Sequence, residues 1–396
     1  MISVSEAKQI IQDCTEPLLP IALDLERTAG LVLAKDVFSS VNIPSFNQSS
    51  MDGYALAFKD WQSGKKLIIE GMAQAGRSDQ VELKEGVAMR IFTGAPLPGR
   101  ADTVVMQEKT TVDQDQLIID DEDLSLGMNV RPAGMEIKQN ALVLQAGSIL
   151  NPAAIGLLAS VGQSFLPVYP KPSVAIIITG DELQLPGREL RYGQVYEANS
   201  FSIKAALTQL GIHQVDLYYA NDSLQVLTSL LGEALPGHDL VFLTGGISVG
   251  DFDFVLQATI NNGVKALFHR IKQRPAKPLF FGKKENKYVF GLPGNPASGL
   301  TSFYEYVLPA LSRICKQDFN LKKMFVPLTK DFRKPAGLTH FLKGYYDGRS
   351  AEILDAQESF RLSSFAKANC LIQIGEEVTE CRQGELVEIH LLPGQS

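Results

Sequence analysis

The chain lacks most of what would mark a metal-scaffolded, secreted or membrane protein. It has four cysteines in 396 residues, Cys14, Cys315, Cys370 and Cys381. None belongs to a C-x-x-C pair, so neither structural zinc nor a disulfide framework finds support, and separate thiols packed as small apolar groups are expected. The five histidines, His213, His238, His269, His340 and His390, are equally dispersed, and nothing local points to a metal cluster or a Ser-His-Asp triad. There is no block of Lys or Arg, and the net charge is -7. That argues against duplex nucleic acid or an anionic membrane as a partner, though a locally basic pocket could still take an anionic small molecule. Long apolar runs are missing too. The most apolar stretch, Val174 to Ile178, is strand-sized and far too short to span a bilayer. The opening residues, Met1 to Glu6, lack the charged segment and apolar run of a signal peptide, so a cytoplasmic location is expected.

What is present is an ordinary globular composition, 45% hydrophobic and 20% charged, in a chain long enough for roughly two to four domains. Ser3-x-x-Glu6 has the pattern of a capping box opening a helix. Glu26 to Val37 reads as a short helix and a strand, and Pro44 to Gly53 is rich in turn residues. Residues 54 to 145 look β-rich, with short strands at Leu67-Ile68-Ile69, Met89 to Phe92 and Thr103 to Met106 and an acidic hairpin at Asp113 to Asp123. Pro152 to Val161 reads as a helix and Pro167 to Pro172 as a linker. The texture then changes. Val174 to Ile178, Val215 to Tyr219 and Leu240 to Leu243 are strand-length runs. They alternate with helices expected to be capped by Asn199-Ser200 and Asn221-Asp222. Such spacing predicts βαβ units and a doubly wound α/β domain from about Lys171 to Lys316. After Lys322 the chain turns β-rich again.

In open parallel sheets, ligands bind beyond the carboxyl ends of the strands. Three glycine loops fall there: Thr179-Gly180-Asp181-Glu182, the run from Thr244 to Asp253, and Gly291 to Ser298. Glycine lets backbone N–H groups approach phosphate oxygens, and helix N-termini favour anions. Any one loop reads better as an ordinary tight turn, but three at one sheet end favour a phosphorylated ligand. Arg270, Arg274 and Lys277 add a basic cluster suited to phosphate or another oxyanion, or simply a solvated charge run. Glu182, Asp222, Asp251 and Asp253 lie on the same loops. They suit Mg²⁺ bridging phosphates, although Asp222 could equally cap its helix.

These motifs together resemble the MoeA family of molybdopterin molybdotransferases, which includes the E domain of gephyrin and its plant counterpart. The likeness covers nearly the whole chain. S-x-M-D-G-Y-A is matched at Ser49 to Ala55, M-R-I-x-T-G-A-P at Met89 to Pro96, and A-D-x-V-V-x-x-E at Ala101 to Glu108. T-G-D-E-L is matched at Thr179 to Leu183, G-G-x-S-V-G-x-x-D at Gly245 to Asp253, and G-L-P-G-N-P-x-S at Gly291 to Ser298. Gln357, Ser359 and Leu362 to Asn369 are similar to the family's last domain. Several positions depart from the family's pattern, among them Asn221, where an Asp commonly precedes Asp222, and Glu136, where the family usually has an Asp. Its K-P-G-K-P is Arg274-Pro275-Ala276-Lys277-Pro278, its Q-G-S-H is Gln357-Glu358-Ser359-Phe360, and its E-F-x-R is His340-Phe341-Leu342-Lys343.

The resemblance implies insertion of molybdate into adenylylated molybdopterin with release of AMP, helped by Mg²⁺. A non-catalytic molybdopterin-binding or scaffold paralogue is the alternative. It implies a multidomain fold with an extended linker and dimerisation domain (1–43 plus 137–167), a β-rich domain (44–136), an α/β molybdopterin-binding domain (168–320) and a C-terminal β-barrel (321–396). By motif, Asp52, Thr93, Glu136, Glu182, Asp222 and Asp253 match activity positions, with Glu182, Asp222 and Asp253 as metal ligands. Thr179, Gly180, Asp181, Gly245, Gly246, Ser248, Gly250, Asp251, Arg274, Lys277, Pro293, Gly294, Asn295, Pro296 and Ser298 match substrate-binding positions. A homodimer is implied, with Asp52 and Thr93 facing the α/β domain of the partner. A molybdopterin-adenylylating enzyme and cofactor-accepting molybdoenzymes are further expected partners.

Overall fold

A computed structural model describes residues 1–76, 81–247 and 254–394. The chain forms two compact units, one of residues 22–29 and 33–167, the other of residues 1–21, 30–32 and 168–396. Among the described residues no helix is long and apolar enough to cross a membrane.

The first unit is built on a six-stranded sheet. In spatial order its strands are Thr103–Met106, Gly53–Leu56, Val87–Ile91, Leu67–Ala73, Gln116–Ile119 and Thr110–Asp113. Both faces of its centre are buried, because neighbouring residues on a strand point to opposite sides. Leu56, Ala88 and Val105 join one apolar cluster, and Ala55, Ile91 and Val104 join another. Gly53 is obligatory here: a Cβ at that position would lie 1.8 Å from the Val105 carbonyl oxygen on the adjacent strand. The acidic hairpin sits slightly earlier than expected, turning at Gln114 and Asp115. The expected linker after Pro167 is partly strand, Phe165–Tyr169.

The second unit contains the predicted doubly wound domain. Its sheet strands, in chain order, are β1 (Val174–Thr179), β2 (Val215–Ala220), β3 (Leu240–Thr244), β4 (Lys265–Arg270), β5 (Pro278–Lys284) and β6 (Lys287–Leu292). The spatial order is β2-β1-β3-β6-β5-β4. The first four are parallel, while β5 runs antiparallel to both β6 and β4. Strand β1 explains why the sheet is covered twice. Val174, Ile176 and Ile178 pack on one side with Ile203, Leu207 and Phe303, whereas Ala175 and Ile177 pack on the other with Leu227, Leu231 and Leu235. The chain steps from β1 to β2 on one side, then returns to β3 on the other, so the order reverses between β1 and β3. That reversal opens a crevice at the carboxyl ends of those two strands.

Three helix ends refine the capping expectations. Ser3 and Glu6 form the full capping box on helix Val4–Cys14. Helix Asn199–Gln209 is opened by Glu197, whose carboxylate accepts the Ser200 N–H at 2.8 Å and its hydroxyl at 2.6 Å, rather than by Asn199-Ser200. Helix Leu224–Gly237 is capped by Ser223, not by Asn221 or Asp222.

After β6 the chain enters one continuous helical run from Pro296 to Ile314, interrupted by a π-turn at Phe303–Val307. Pro309 gives the reason. A proline inside a helix has no N–H to donate, and its ring crowds the carbonyl four residues back, here that of Glu305. Widening the preceding turn relieves the clash. Beyond it, the C-terminal region is a curled sheet ordered Gln273–Arg274, Thr339–Tyr346, Cys370–Ile374, Leu386–Leu391 and Lys322–Pro327, with Ala351–Ile353 added beside Thr339–Tyr346. A separate pair joins Phe332–Arg333 to Glu380–Cys381.

Candidate active site

The crevice between β1 and β3 opens into a cleft of about 860 Å³. Thr179 and Gly180 lie at the end of β1, Thr244, Gly245 and Gly246 at the end of β3, and Gly294, Asn295 and Pro296 beyond β6, so all three predicted glycine loops reach its wall. Gly245 has φ +87°, and a Cβ there would lie 2.5 Å from the Thr179 carbonyl oxygen. The loop therefore crosses the end of β1 only because that side chain is missing.

Two of the predicted carboxylates, Glu182 and Asp222, line the cleft. The Glu182 carboxylate folds back over Gly180, coming within 2.9 Å of where a Cβ would sit. Asp222 has its N–H on the Asp181 carboxylate at 3.2 Å. Because Ser223 supplies the helix cap, the Asp222 carboxylate is not engaged in capping. Two carboxylates at a cleft wall fit Mg²⁺, which commonly takes one or two carboxylates and completes its shell with phosphate and water oxygens. Among the described residues no cluster of three or more His, Cys, Asp or Glu forms a metal site by itself. Asp253, with Ser248, Gly250 and Asp251, lies outside the described residues.

Other wall residues were not among the site residues expected from the sequence. The short strand Val195–Tyr196 pairs with Leu183–Gln184 and brings Tyr196 to the cleft. Asn199 donates its amide to the Gly294 carbonyl at 2.8 Å. The Asn199 Oδ1 and Thr244 Oγ1 atoms are buried in the wall with no hydrogen-bond partner among the described residues. Buried polar atoms are seldom left unpaired, so these two suit a polar ligand or water in the cleft. Phe360 reaches the wall from the C-terminal region.

The Gly291 to Ser298 loop departs from the simple phosphate cradle. The N–H groups of Ala297 and Ser298 both donate to the Ser359 carbonyl, at 3.1 and 3.3 Å, and the Asn295 amide donates to the Ser359 hydroxyl at 3.0 Å. Part of the helix start is thus occupied by the protein's own chain. Pro293 and Ser298 are buried behind the wall rather than on it. Arg274 and Lys277 are not among the lining residues either. Phe280 pairs with Gly291, which puts the start of β5 at the sheet edge where β6 ends. The Arg274–Lys277 turn therefore belongs to the same edge, pinned by Ile271 N–H to the Lys277 carbonyl and by Gln273 to the Ala276 carbonyl, both 3.0 Å. Arg274 lies in register with His340, whose pKa falls to about 4 through burial, helped by the positive charges of Lys334 and Arg274.

In the other unit, Asp52 and Thr93 meet across 41 residues of sequence. One Asp52 carboxylate oxygen accepts both the Thr93 N–H, at 2.8 Å, and its hydroxyl, at 2.9 Å. Those bonds, the backbone one foremost, hold the exposed Asp52 carboxyl below its ordinary pKa, and Arg90 adds to the effect. Arg90 is itself fixed by the Gly53 carbonyl at 3.2 Å and by Gln107. Glu136 is exposed, its N–H bonded to the Ile43 carbonyl at 2.9 Å, and forms no hydrogen bond with this pair among the described residues. The cysteines stay apart from all of this chemistry. Burial pushes the Cys315 and Cys370 thiols up to about 12.

A doubly wound sheet with a glycine-walled cleft at its switch point, carried in a multidomain chain, defines an α/β ligand-binding protein. Residues 2–162 match the family model of the MoeA N-terminal region (domains I and II), 175–313 that of a probable molybdopterin binding domain, and 326–392 that of the MoeA C-terminal region (domain IV). The chain belongs to the MoeA family. It is 34% identical over 404 residues to a protein of Haemophilus influenzae named molybdopterin molybdenumtransferase, covering 99% of this chain and all of that one. A protein of the same name from Staphylococcus epidermidis is 33% identical over 407 residues, covering 100% and 96%. The crystal structure of a MoeA molybdopterin biosynthesis protein from Pyrococcus horikoshii superposes with a TM-score of 0.84 at 29% identity, covering both chains fully.

Proposed function

We propose that this protein is a molybdopterin molybdotransferase of molybdenum cofactor biosynthesis, taking adenylylated molybdopterin and molybdate as substrates and releasing AMP. The observation that carries the reading is the cleft at the β1/β3 switch point, with glycine loops on its wall and Glu182 and Asp222 beside them. The sulfur ligands for molybdenum belong to the substrate, which agrees with cysteines that are buried or scattered. Mg²⁺, held by Glu182 and Asp222, would neutralise phosphate charge. The chain's own part is positioning. The loops after β1 and β3 fix the ligand's phosphates, and the carboxylates orient the reacting end. We further read the protein as a homodimer in which the Asp52–Thr93 pair is supplied to the cleft of the partner.

The test is to incubate purified protein with adenylylated molybdopterin, molybdate and Mg²⁺ and to follow AMP and active cofactor. Formation of both is expected. Binding of the substrate without AMP release would leave the non-catalytic, molybdopterin-binding reading instead.

A further inference from the structure

Two segments that depart from the family's sequence pattern, Phe360 with its neighbours and Lys343, are brought together by the fold. Lys343 is 4% exposed, yet among the described residues its ammonium has no carboxylate partner. It donates to the carbonyls of Ala356 at 2.7 Å, Arg361 at 3.1 Å and Glu358 at 3.3 Å. Burial lowers its pKa, against the opposing charge of Glu358. Gln357 grips the same strand residue from the other side. Its side-chain oxygen accepts the Lys343 N–H at 2.9 Å, while its amide donates to the Lys343 carbonyl at 2.8 Å. The Ala356–Arg361 turn is therefore wrapped around one buried ammonium. Ser359, within it, is bonded to Asn295 on the cleft wall and to Ala297 and Ser298 behind it.

The product of this bracing is the placement of Phe360. Its ring lines the cleft although the residue is 60% exposed. A Phe left 60% exposed gains only part of the burial energy of a core ring, so a turn built this firmly is poorly explained by stability. The Arg361 guanidinium lies over the ring at 5.7 Å. Tyr196, 47% exposed, lines the same cleft, with its hydroxyl tied to the Arg188 carbonyl at 2.7 Å.

We infer that Phe360 is a stacking face for a planar nitrogen heterocycle of the bound ligand, and that Lys343 and Gln357 are the residues that position it. Aromatic faces bind such rings by stacking. The inference rests on the proposed substrate, which carries two rings of this kind, an adenine and a pterin.

The experiment is calorimetric titration of the native protein and of Phe360→Ala, Phe360→Leu and Phe360→Trp, with AMP, ribose 5-phosphate and a free pterin as probes. Loss of a stacked ring predicts that Phe360→Ala and Phe360→Leu weaken either AMP or the pterin by roughly five- to hundredfold. Phe360→Trp should retain binding, and ribose 5-phosphate should be unaffected. Loss for AMP identifies adenine as the stacked ring, and loss for the pterin identifies that ring. Unchanged affinity for both ring ligands, equal loss for ribose 5-phosphate, or no binding of either ring to the native protein overturns the inference. AMP release by the native protein is measured alongside. If release occurs while the Phe360 variants bind normally, only this inference fails, and if the native protein releases none, the transferase reading fails.

Discussion

Replacing Glu305 with Gln should cost the second unit about 3 kcal/mol at neutral pH. Glu305 sits in the π-turn and is 2% exposed. One oxygen faces the Lys8 ammonium at 2.5 Å and the other faces His390 at 2.6 Å, while the far nitrogen of His390 meets Glu388 at 2.9 Å. Burial alone would raise the Glu305 pKa, but Lys8 and His390 more than offset it and bring it from 4.5 to about 2. A carboxyl depressed that far contributes about 3 kcal/mol at pH 7. Breaking a buried ion pair by removing one partner typically costs about 3–5 kcal/mol, which agrees. The sign follows from the depression. The contribution is full above the unfolded pKa of 4.5 and fades as the pH falls towards 2. Urea unfolding at pH 7 and pH 3 should therefore show a wide gap between native and Glu305→Gln at pH 7 and a narrower one at pH 3. The double variant Lys8→Met with Glu305→Gln should lose less than the two single losses added, because the uncompensated ammonium is then gone. A Glu305→Gln protein within about 0.5 kcal/mol of native at pH 7, or a gap that widens in acid, would refute the reasoning.

Asp222 and Ser223 should separate chemistry from capping. Asp222→Ala is expected to lower AMP release by about 10²-fold or more and to weaken the response to Mg²⁺, with little change in unfolding. Ser223→Ala should cost about 1 kcal/mol and leave turnover alone, and a reversed pattern would return Asp222 to the role of a cap. Lys343→Met removes a charged donor from three carbonyls, each of which keeps a second donor in the Ser364 hydroxyl or the Arg361 N–H, and should cost about 1–3 kcal/mol. It should also raise KM for adenylylated molybdopterin more than it lowers kcat, with Lys343→Arg recovering much of the loss, whereas an equal fall in kcat would argue against a positioning role.

The parts legible in the sequence were those whose signal is local. Val174 to Ile178 reads as a doubly buried strand because every residue in it is apolar, and both faces are indeed covered. The three glycine loops could be assigned to one sheet end because βαβ topology leaves few alternatives. Caps were less legible. Asn221, Asp222 and Ser223 are all good cap residues, and only the geometry of the turn picks Ser223. Glu197 caps its helix from outside the usual residue set. Arg274 and Lys277 were expected as a basic cluster beside the glycine loops; they lie at the same sheet edge but off the cleft wall, on a tight turn that charge patterning does not encode. The Asp52–Thr93 pairing and the arrival of Phe360 at the cleft depend on contacts between remote segments. Family motifs pointed to the first, and the second was marked only as a departure from the family's pattern at Phe360.

The π-turn at Phe303–Val307 has a consequence for how this helix tolerates change in length. A turn holding an extra residue lets the chain advance without keeping its rotational phase. Ala297, Ser298 and Thr301 face inward before it, and Leu308, Leu311 and Ile314 face inward after it. A one-residue deletion within 303–307 would turn the whole Leu308–Ile314 segment by about 100° and swing its leucines away from the sheet they cover.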